Sequence, residues 1–485
     1  MLFDFKRIVG RTTNFKTMKR FKLILTVLFT VLYSNIFAQG YRIEVQINGI
    51  KDTTVMLGYH VGEKMYVQDT AKVDSKGYAV FQGDSALMQG IYLIVLPKKT
   101  FFDILVTDNQ KFGVKTELKN LLENLSFTNS KENTLFAEYQ RFMVEQQKTM
   151  TILQNKYKSV SAKPDSVKII QEKIKAIDKN VNDYWNSIIA INPNALLSVI
   201  IKTMKNLEIP EFKIPAGIKN TDSLKWVMGY HYNKVHYFDN IPLSDPRLLR
   251  TPILEGRINT FFDRVLIPSP DSITPEAIKI IEASKANKEV FQYLLQFIGN
   301  KFSTSNIMGF DAVFVAIAEK YYLTGQAWWA DKKMLDKIQE RVTALKPNLI
   351  GIQCPNLSLP DMAGITRKIS DIKTKITVVY FWDSSCSHCK KVTPELKKFY
   401  DKFKPKGLEV YAVYTQGNQP ELVEYISKNQ LNWINVWDPA QNSNFRNLFD
   451  IYSTPVIYVL DVNKKIIAKR ISEESLEKML EQELK

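Results

Sequence analysis

The stretch Thr377 to Pro394, TVVYFWDSSCSHCKKVTP, constrains this chain more than any other. It opens on Thr377-Val-Val-Tyr-Phe-Trp382, β-branched and aromatic residues suited to a buried strand. A polar turn, Asp383-Ser384-Ser385, leads to Cys386-Ser387-His388-Cys389, where a helix is predicted to begin. The first N–H groups of a helix have no partner within it and lie at the positive end of its dipole, so they favour a thiolate. Cys386 is therefore the expected nucleophile. Cys389, one helical turn later, is close enough to close a Cys386–Cys389 disulfide. A C-x-x-C pair at a strand-to-helix junction reads as a dithiol–disulfide switch. His388, between the two, would stabilise the thiolate further when its imidazole is partly positive; otherwise it is an exposed spacer.

Two downstream features sharpen this reading. Pro394 falls inside an otherwise helical pattern, where a proline kinks the helix. Ser453-Thr454-Pro455 immediately precedes the run Val456-Ile-Tyr-Val-Leu460. A proline at a strand start removes one ladder donor and can be a cis bond, which leaves nearby backbone free to pair with an extended peptide. Together the set FW…C-S-H-C…P…TP-VIYVL resembles the thioredoxin-like oxidoreductases, in particular the secreted TlpA/ResA-type thiol–disulfide proteins, over roughly residues 350 to 485. The resemblance implies a cis Thr454–Pro455 pair beside the cysteines that holds the substrate segment, with Trp382 packed beneath the loop.

Taken alone, the C-x-x-C also fits half of a zinc site or a structural disulfide. Zinc wants four ligands, usually from a second C-x-x-C or paired histidines. Beyond the pair, the chain offers Cys354 and four scattered histidines. No metal and no cofactor is expected.

A length of 485 residues exceeds one core and suggests about three domains. The formal net charge is +16, but residues 1–38 hold seven Lys/Arg against one Asp and account for +6 of it. The remaining charge is interspersed, not clustered as on a nucleic-acid face, so no nucleic-acid partner is expected. Met18-Lys-Arg-Phe-Lys22, the apolar run Leu23 to Tyr33 and the small-residue exit Ser34 to Ala38 read as a secretory signal peptide. Residues 1–38 are expected to be removed, with Met18 as the true start. The expected product is soluble and exported to the periplasm, a disulfide-permissive compartment.

Residues 39–130 read as a β-rich, sandwich-like domain. Tyr41–Ile47, Thr54–Tyr59, Gly77–Phe81, Gly90–Leu96 and Phe101–Val106 form short runs bounded by turn residues, and their spacing suggests an antiparallel sandwich or barrel. His60 stands alone as a surface or packed residue. The stretch resembles an uncharacterised β-rich domain that often precedes thioredoxin-like domains in secreted bacterial proteins. The matching features are Asp69 to Gly77, the G-x-Y-L segment at Gly90 and Ser130-Lys-Glu-Asn133. Residues 131–349 switch to helical periodicity, from Thr134–Lys158 and Asp165–Ala190 through a helix beginning at Pro275 to one over Trp328–Ile338. This mostly α domain resembles the spacer found in the same proteins. Its aromatics read as core rather than as a ligand pocket, and His231 and His236, five apart, lack the spacing of two ligands on one helix face.

Residues 350–485 alternate strands and helices, as an α/β thioredoxin-like domain does. The resemblance implies a periplasmic thiol–disulfide oxidoreductase acting in cell redox homeostasis. Its partners would be disulfide-containing proteins and a membrane electron donor. Some details depart from the family. Tyr380 stands where thioredoxins carry a buried Asp, Ser385 replaces a Trp, and Val392 replaces the Glu of many TlpA/ResA-type members. Asp383 or Glu395 could take over the proton handling that those carboxylates are credited with. Cys354, just before Pro355, is expected to be buried. Two other readings stay open. One is a thiol peroxidase of peroxiredoxin type, although Asp383 stands where that family wants a Thr. The other is a cell-envelope binding protein with a structural disulfide.

Overall fold

The computed structural model describes residues 40–159, 164–215, 217 and 219–485; the expected signal peptide lies outside them. The chain divides into two compact units, Met1–Lys205 with Arg247–Gly256, and Asn206–Pro246 with Arg257–Lys485. Helices of the central region belong to both.

The first unit is built on eight strands: β1 (Tyr41–Asn48), β2 (Thr53–Val61), β3 (Lys64–Val73), β4 (Tyr78–Gly83), β5 (Gly90–Val95), β6 (Phe101–Val106), β7 (Lys111–Glu117) and β8 (Ser126–Thr128). They form two four-stranded sheets, ordered β4-β1-β7-β8 and β3-β2-β5-β6. Ile43, Val45, Phe81, Phe112 and Val114 of one sheet share a core with Val55, Leu57, Tyr92, Ile94 and Ile104 of the other, as the alternation in β1 requires. The sandwich is not wholly antiparallel, because β1 and β7 run parallel. A parallel pair needs a long crossover, which the intervening strands supply. The sequence reading missed β3, β7 and β8. β3 is an edge strand whose Met65, Tyr66 and Val67 are exposed, and β7 alternates the buried Phe112 and Val114 with Lys111, Gly113 and Lys115, so neither shows an unbroken buried run.

Helices Lys131–Ser159, Pro164–Ile191 and Leu196–Met204 follow. Phe136, Tyr139, Ile188, Leu197 and Ile200 pack with Ile91 and Leu105 on the outer side of β5 and β6. Here Ser130-Lys-Glu-Asn133 acquires a structural meaning. β6 is an edge strand, and the buried Asn133 accepts from Leu105 N–H at 2.7 Å and donates to Leu105 C=O at 2.8 Å. A side-chain amide thus completes one rung of the ladder that an edge leaves open.

The second unit carries helices Thr221–His236, Pro270–Ser284, Lys288–Ser303, Asp311–Ile317 and Lys332–Leu345 ahead of the C-terminal α/β domain. Two helix starts differ from the sequence reading. Pro275 lies inside a helix that begins at Pro270, because Ser269 caps it by accepting from Ser272 N–H. Trp328 and Trp329 precede a helix that Asp331 caps through Met334 N–H at 2.7 Å. In both cases the short polar cap sets the start, not the aromatic or proline signal.

The C-terminal domain begins with a hairpin of β9 (Ser358–Pro360) and β10 (Thr366–Lys368). Its main sheet comprises β11 (Ile376–Trp382), β12 (Leu408–Tyr414), β13 (Ile434–Trp437), β14 (Val456–Leu460) and β15 (Ile466–Lys469), in the order β13-β12-β11-β14-β15. β11, β12 and β13 run parallel, whereas β14 is antiparallel to β11, with Phe381 opposite Val456. One face (Val378, Tyr380, Trp382) packs on helices Ser387–Phe403 and Glu473–Glu483. The other (Val379, Phe381, Tyr411) packs on Phe445, Phe449 and the segment 354–372. Every residue of β11 is buried, which is why it reads as an unbroken apolar run. The central strand therefore ends directly at the cysteines, with β14 beside it.

Candidate active site

Cys386 is the N-cap of helix Ser387–Phe403, and its carbonyl accepts the first helical hydrogen bond from Lys390 N–H at 3.1 Å. Both Cys386 and Cys389 are free thiols. The Cys386 Sγ donates to the Thr454 carbonyl at 3.3 Å, and the Thr454–Pro455 peptide is cis. The expected residues of the 386–389 turn and the 454–455 loop are thus brought together across the β11–β14 pairing.

The two thiols sit in opposite environments. Burial pushes the Cys386 thiol up, but the Cys389 N–H, the Cys389 thiol, the Thr454 side chain and the His388 N–H together hold it below an ordinary cysteine. This is the stabilisation of a thiolate by helix N-terminal amides. Cys389, almost fully buried on the inner side of the same helix, is pushed up to about 11 by burial, although the Asp383 backbone works against it. The outer thiol thus gives up its proton more readily than an ordinary cysteine, and the inner one less readily.

Trp382 is fully buried beneath the turn, with its ring 5.1 Å from that of Tyr414 and 5.0 Å from that of Tyr425. The His388 side chain is exposed; what reaches Cys386 is its backbone N–H. Thr454 and Pro455 are half-buried, and Pro455 lines a groove of about 260 Å³ with Val392, Tyr452, Ser453, Arg470 and Ile471.

Both carboxylates that the sequence offered as proton acceptors make other contacts. Asp383 is buried, and its Oδ1 accepts from Ser385 N–H at 2.7 Å and Ser385 Oγ at 2.8 Å, while its Oδ2 accepts from Gln416 Nε2. It braces the turn. Glu395 pairs with Lys398 at 2.8 Å. Sequence reasoning missed Ser384 Oγ, 2.7 Å from Tyr414 Oη, and the Gln416 partner of Asp383. Both partners lie beyond β12 or at its end, and no local pattern announces them. Cys354 is buried away from the pair and pushed up to about 12 by burial. Among the described residues, no group of three or more His, Cys, Asp or Glu could hold a metal ion.

The AhpC/TSA family matches residues 350–469, and a domain of unknown function, DUF4369, matches residues 41–136. A thiol-disulfide oxidoreductase ResA from Bacillus cereus is 24% identical over 130 residues, 27% of this chain and 74% of that protein. A solved domain of a possible thiol-disulfide isomerase from Cytophaga hutchinsonii is 41% identical and covers 28% of this chain and 92% of its own, with a TM-score of 0.27. A thioredoxin-like protein from Bacteroides caccae is 17% identical and covers 57% of this chain and 99% of its own, with a TM-score of 0.46. The C-terminal part of this chain is a thioredoxin-like thiol–disulfide oxidoreductase domain, homologous to ResA at low identity.

Proposed function

We propose that the protein is an exported, periplasmic oxidoreductase that exchanges disulfides with protein substrates through the Cys386/Cys389 dithiol. The observation that supports this most is the contrast between the two thiols, one lowered at a helix N-terminus and the other raised by burial behind it. In the reductive direction, the Cys386 thiolate attacks a substrate disulfide. One sulfur of that disulfide leaves as a thiolate and takes up a proton, while Cys386 forms a mixed disulfide with the other. Cys389 then attacks Cys386, releasing the second substrate thiol and leaving a Cys386–Cys389 disulfide. Thr454 and Pro455 would hold the substrate segment beside Cys386, and Trp382 supports the turn from below. A membrane electron donor would return the pair to the dithiol. Export rests on the N-terminal sequence. Among the described residues, no helix is long and apolar enough to cross a membrane.

The test is the equilibrium of the pair in graded glutathione buffers, with Cys354→Ser protein. A two-electron transition between the values of thioredoxin, about −270 mV, and of DsbA, about −120 mV, is expected, and its position gives the direction of exchange. A pair that never reduces in these buffers overturns the proposal, because the disulfide would then be structural.

A further inference from the structure

A buried thiol pushed up to about 11 cannot attack until it loses its proton. Asp383 and Glu395 are both engaged elsewhere, so the neighbours of Cys389 that do carry hydrogens must be considered. Tyr380 and Thr393 are fully buried, on β11 and on helix Ser387–Phe403, and the Tyr380 Oη lies 2.9 Å from Thr393 Oγ1. Cys389 lies one helical turn before Thr393 on the buried face of their helix, and Tyr380 and the half-buried Tyr425 of helix Gln419–Lys428 belong to the same core as Cys389. Three hydroxyls from three elements thus lie in the core around the inner thiol, two of them in direct contact. Tyr380 stays a neutral phenol, since burial raises its pKa far above the ordinary value. It can donate to a thiolate but cannot act as a base in its own right.

We propose that the Tyr380–Thr393–Tyr425 hydroxyl cluster conducts the Cys389 proton to solvent and donates a hydrogen bond to the thiolate left behind. This rests on the dithiol reading above and assigns the proton handling of its second step. The proton on Cys389 Sγ passes along the hydroxyls to water. The Cys389 thiolate attacks Cys386 Sγ, so that the Cys386–Cys389 bond forms as the Cys386–substrate bond breaks. The substrate sulfur leaves with the electron pair and takes a proton from water. The protein dithiol is oxidised, the substrate disulfide is reduced, and no further reagent is consumed.

The two steps can be read separately. Reduced Cys354→Ser protein is mixed with one equivalent of an aromatic disulfide whose released thiolate is coloured. Attack by Cys386 releases the first thiolate, and attack by Cys389 on the mixed disulfide releases the second. Tyr380→Phe is expected to slow the second release by about tenfold or more, the loss of one hydrogen bond to a charged group, while leaving the first unchanged. Thr393→Val should act the same way, and Thr393→Ser should restore the rate. If Tyr380→Phe does not fold, the Thr393 pair carries the test. Second releases that match the parent's in these variants, or both releases slowed alike, overturn the proposal. A parent protein with a first release but no second overturns the dithiol reading itself, and this proposal with it.

Discussion

The Arg341 guanidinium, on helix Lys332–Leu345, donates to the buried Asp450 carboxylate at 2.5 Å, four residues before Thr454. Arg470, just past β15, donates to the other oxygen at 2.7 Å. Asp450 is 2% exposed, so its charge is tolerable only while it is paired. The helical region of the second unit is thereby tied to the stretch that leads into the Thr454–Pro455 loop. Arg341→Ala leaves one oxygen of a buried carboxylate without its strongest partner, and it is expected to destabilise the unit by about 1–3 kcal/mol. Arg341→Ala combined with Asp450→Asn should cost less than the sum of the two changes. Denaturant unfolding of the four proteins measures this coupling, and strictly additive costs would refute it.

The thiol environments predict an order of reactivity. Cys386 is lowered, Cys389 is pushed up to about 11 and Cys354 to about 12. At pH 7, a thiol whose pKa is about 11 is thiolate only about one part in ten thousand, so an alkylating reagent should modify Cys386 almost alone. The sign of the pH dependence follows. Because the Cys386 value lies below that of an ordinary cysteine, its alkylation stays fast into more acidic solution than that of a model thiol. It is lost only as pH falls through the lowered value. Mass spectrometry of the alkylated peptides across pH measures this, and equal labelling of Cys386 and Cys389 at neutral pH would contradict it.

How much was legible in the sequence follows from where the constraints lie. The turn from Trp382 to Cys389 is local: an apolar strand, three polar residues and a helix start suffice to place Cys386 at an N-cap. The Thr454–Pro455 loop was legible because a strand signal follows it directly. The role of Asp383 was not legible, because Gln416 becomes its partner only through the fold, whereas Glu395 and Lys398, three apart on one helix, are a local pair. β3 and β7 escaped for a different reason: β3 lies on an edge with Met65 to Val67 exposed, and the alternation of the buried Phe112 and Val114 in β7 is short and broken up by lysines and a glycine. Asn133 was visible as part of a resemblance, but only the sheet order shows that it closes an edge.

Thr454 contributes to Cys386 through its side chain as well as its carbonyl. Thr454→Val keeps the shape and the carbonyl but removes the hydroxyl. Neutral-pH alkylation of Cys386 should then slow by roughly threefold to tenfold, the worth of one modest hydrogen bond. The unfolding midpoint should barely move, since Thr454 is only half-buried. An unchanged alkylation rate would show that the helix amides hold the thiolate without the Thr454 hydroxyl.

Asn133 is fully buried, and its amide satisfies both the N–H and the C=O of Leu105, while Ser130 Oγ lies 3.0 Å from its Nδ2. Asn133→Leu fills the same space but strands two buried backbone groups on β6. Each stranded group costs about 1–3 kcal/mol, so a loss of roughly 2–6 kcal/mol is expected, larger than that for any exposed substitution on the same helix. Asn133→Asp should recover only the half that accepts from Leu105 N–H, because a carboxylate has no hydrogen to give the carbonyl. Thermal unfolding of the variants gives the total, and amide exchange at Leu105 reports the site itself. If Leu105 stays as protected in Asn133→Leu as in the parent, the edge is closed by packing and not by the amide.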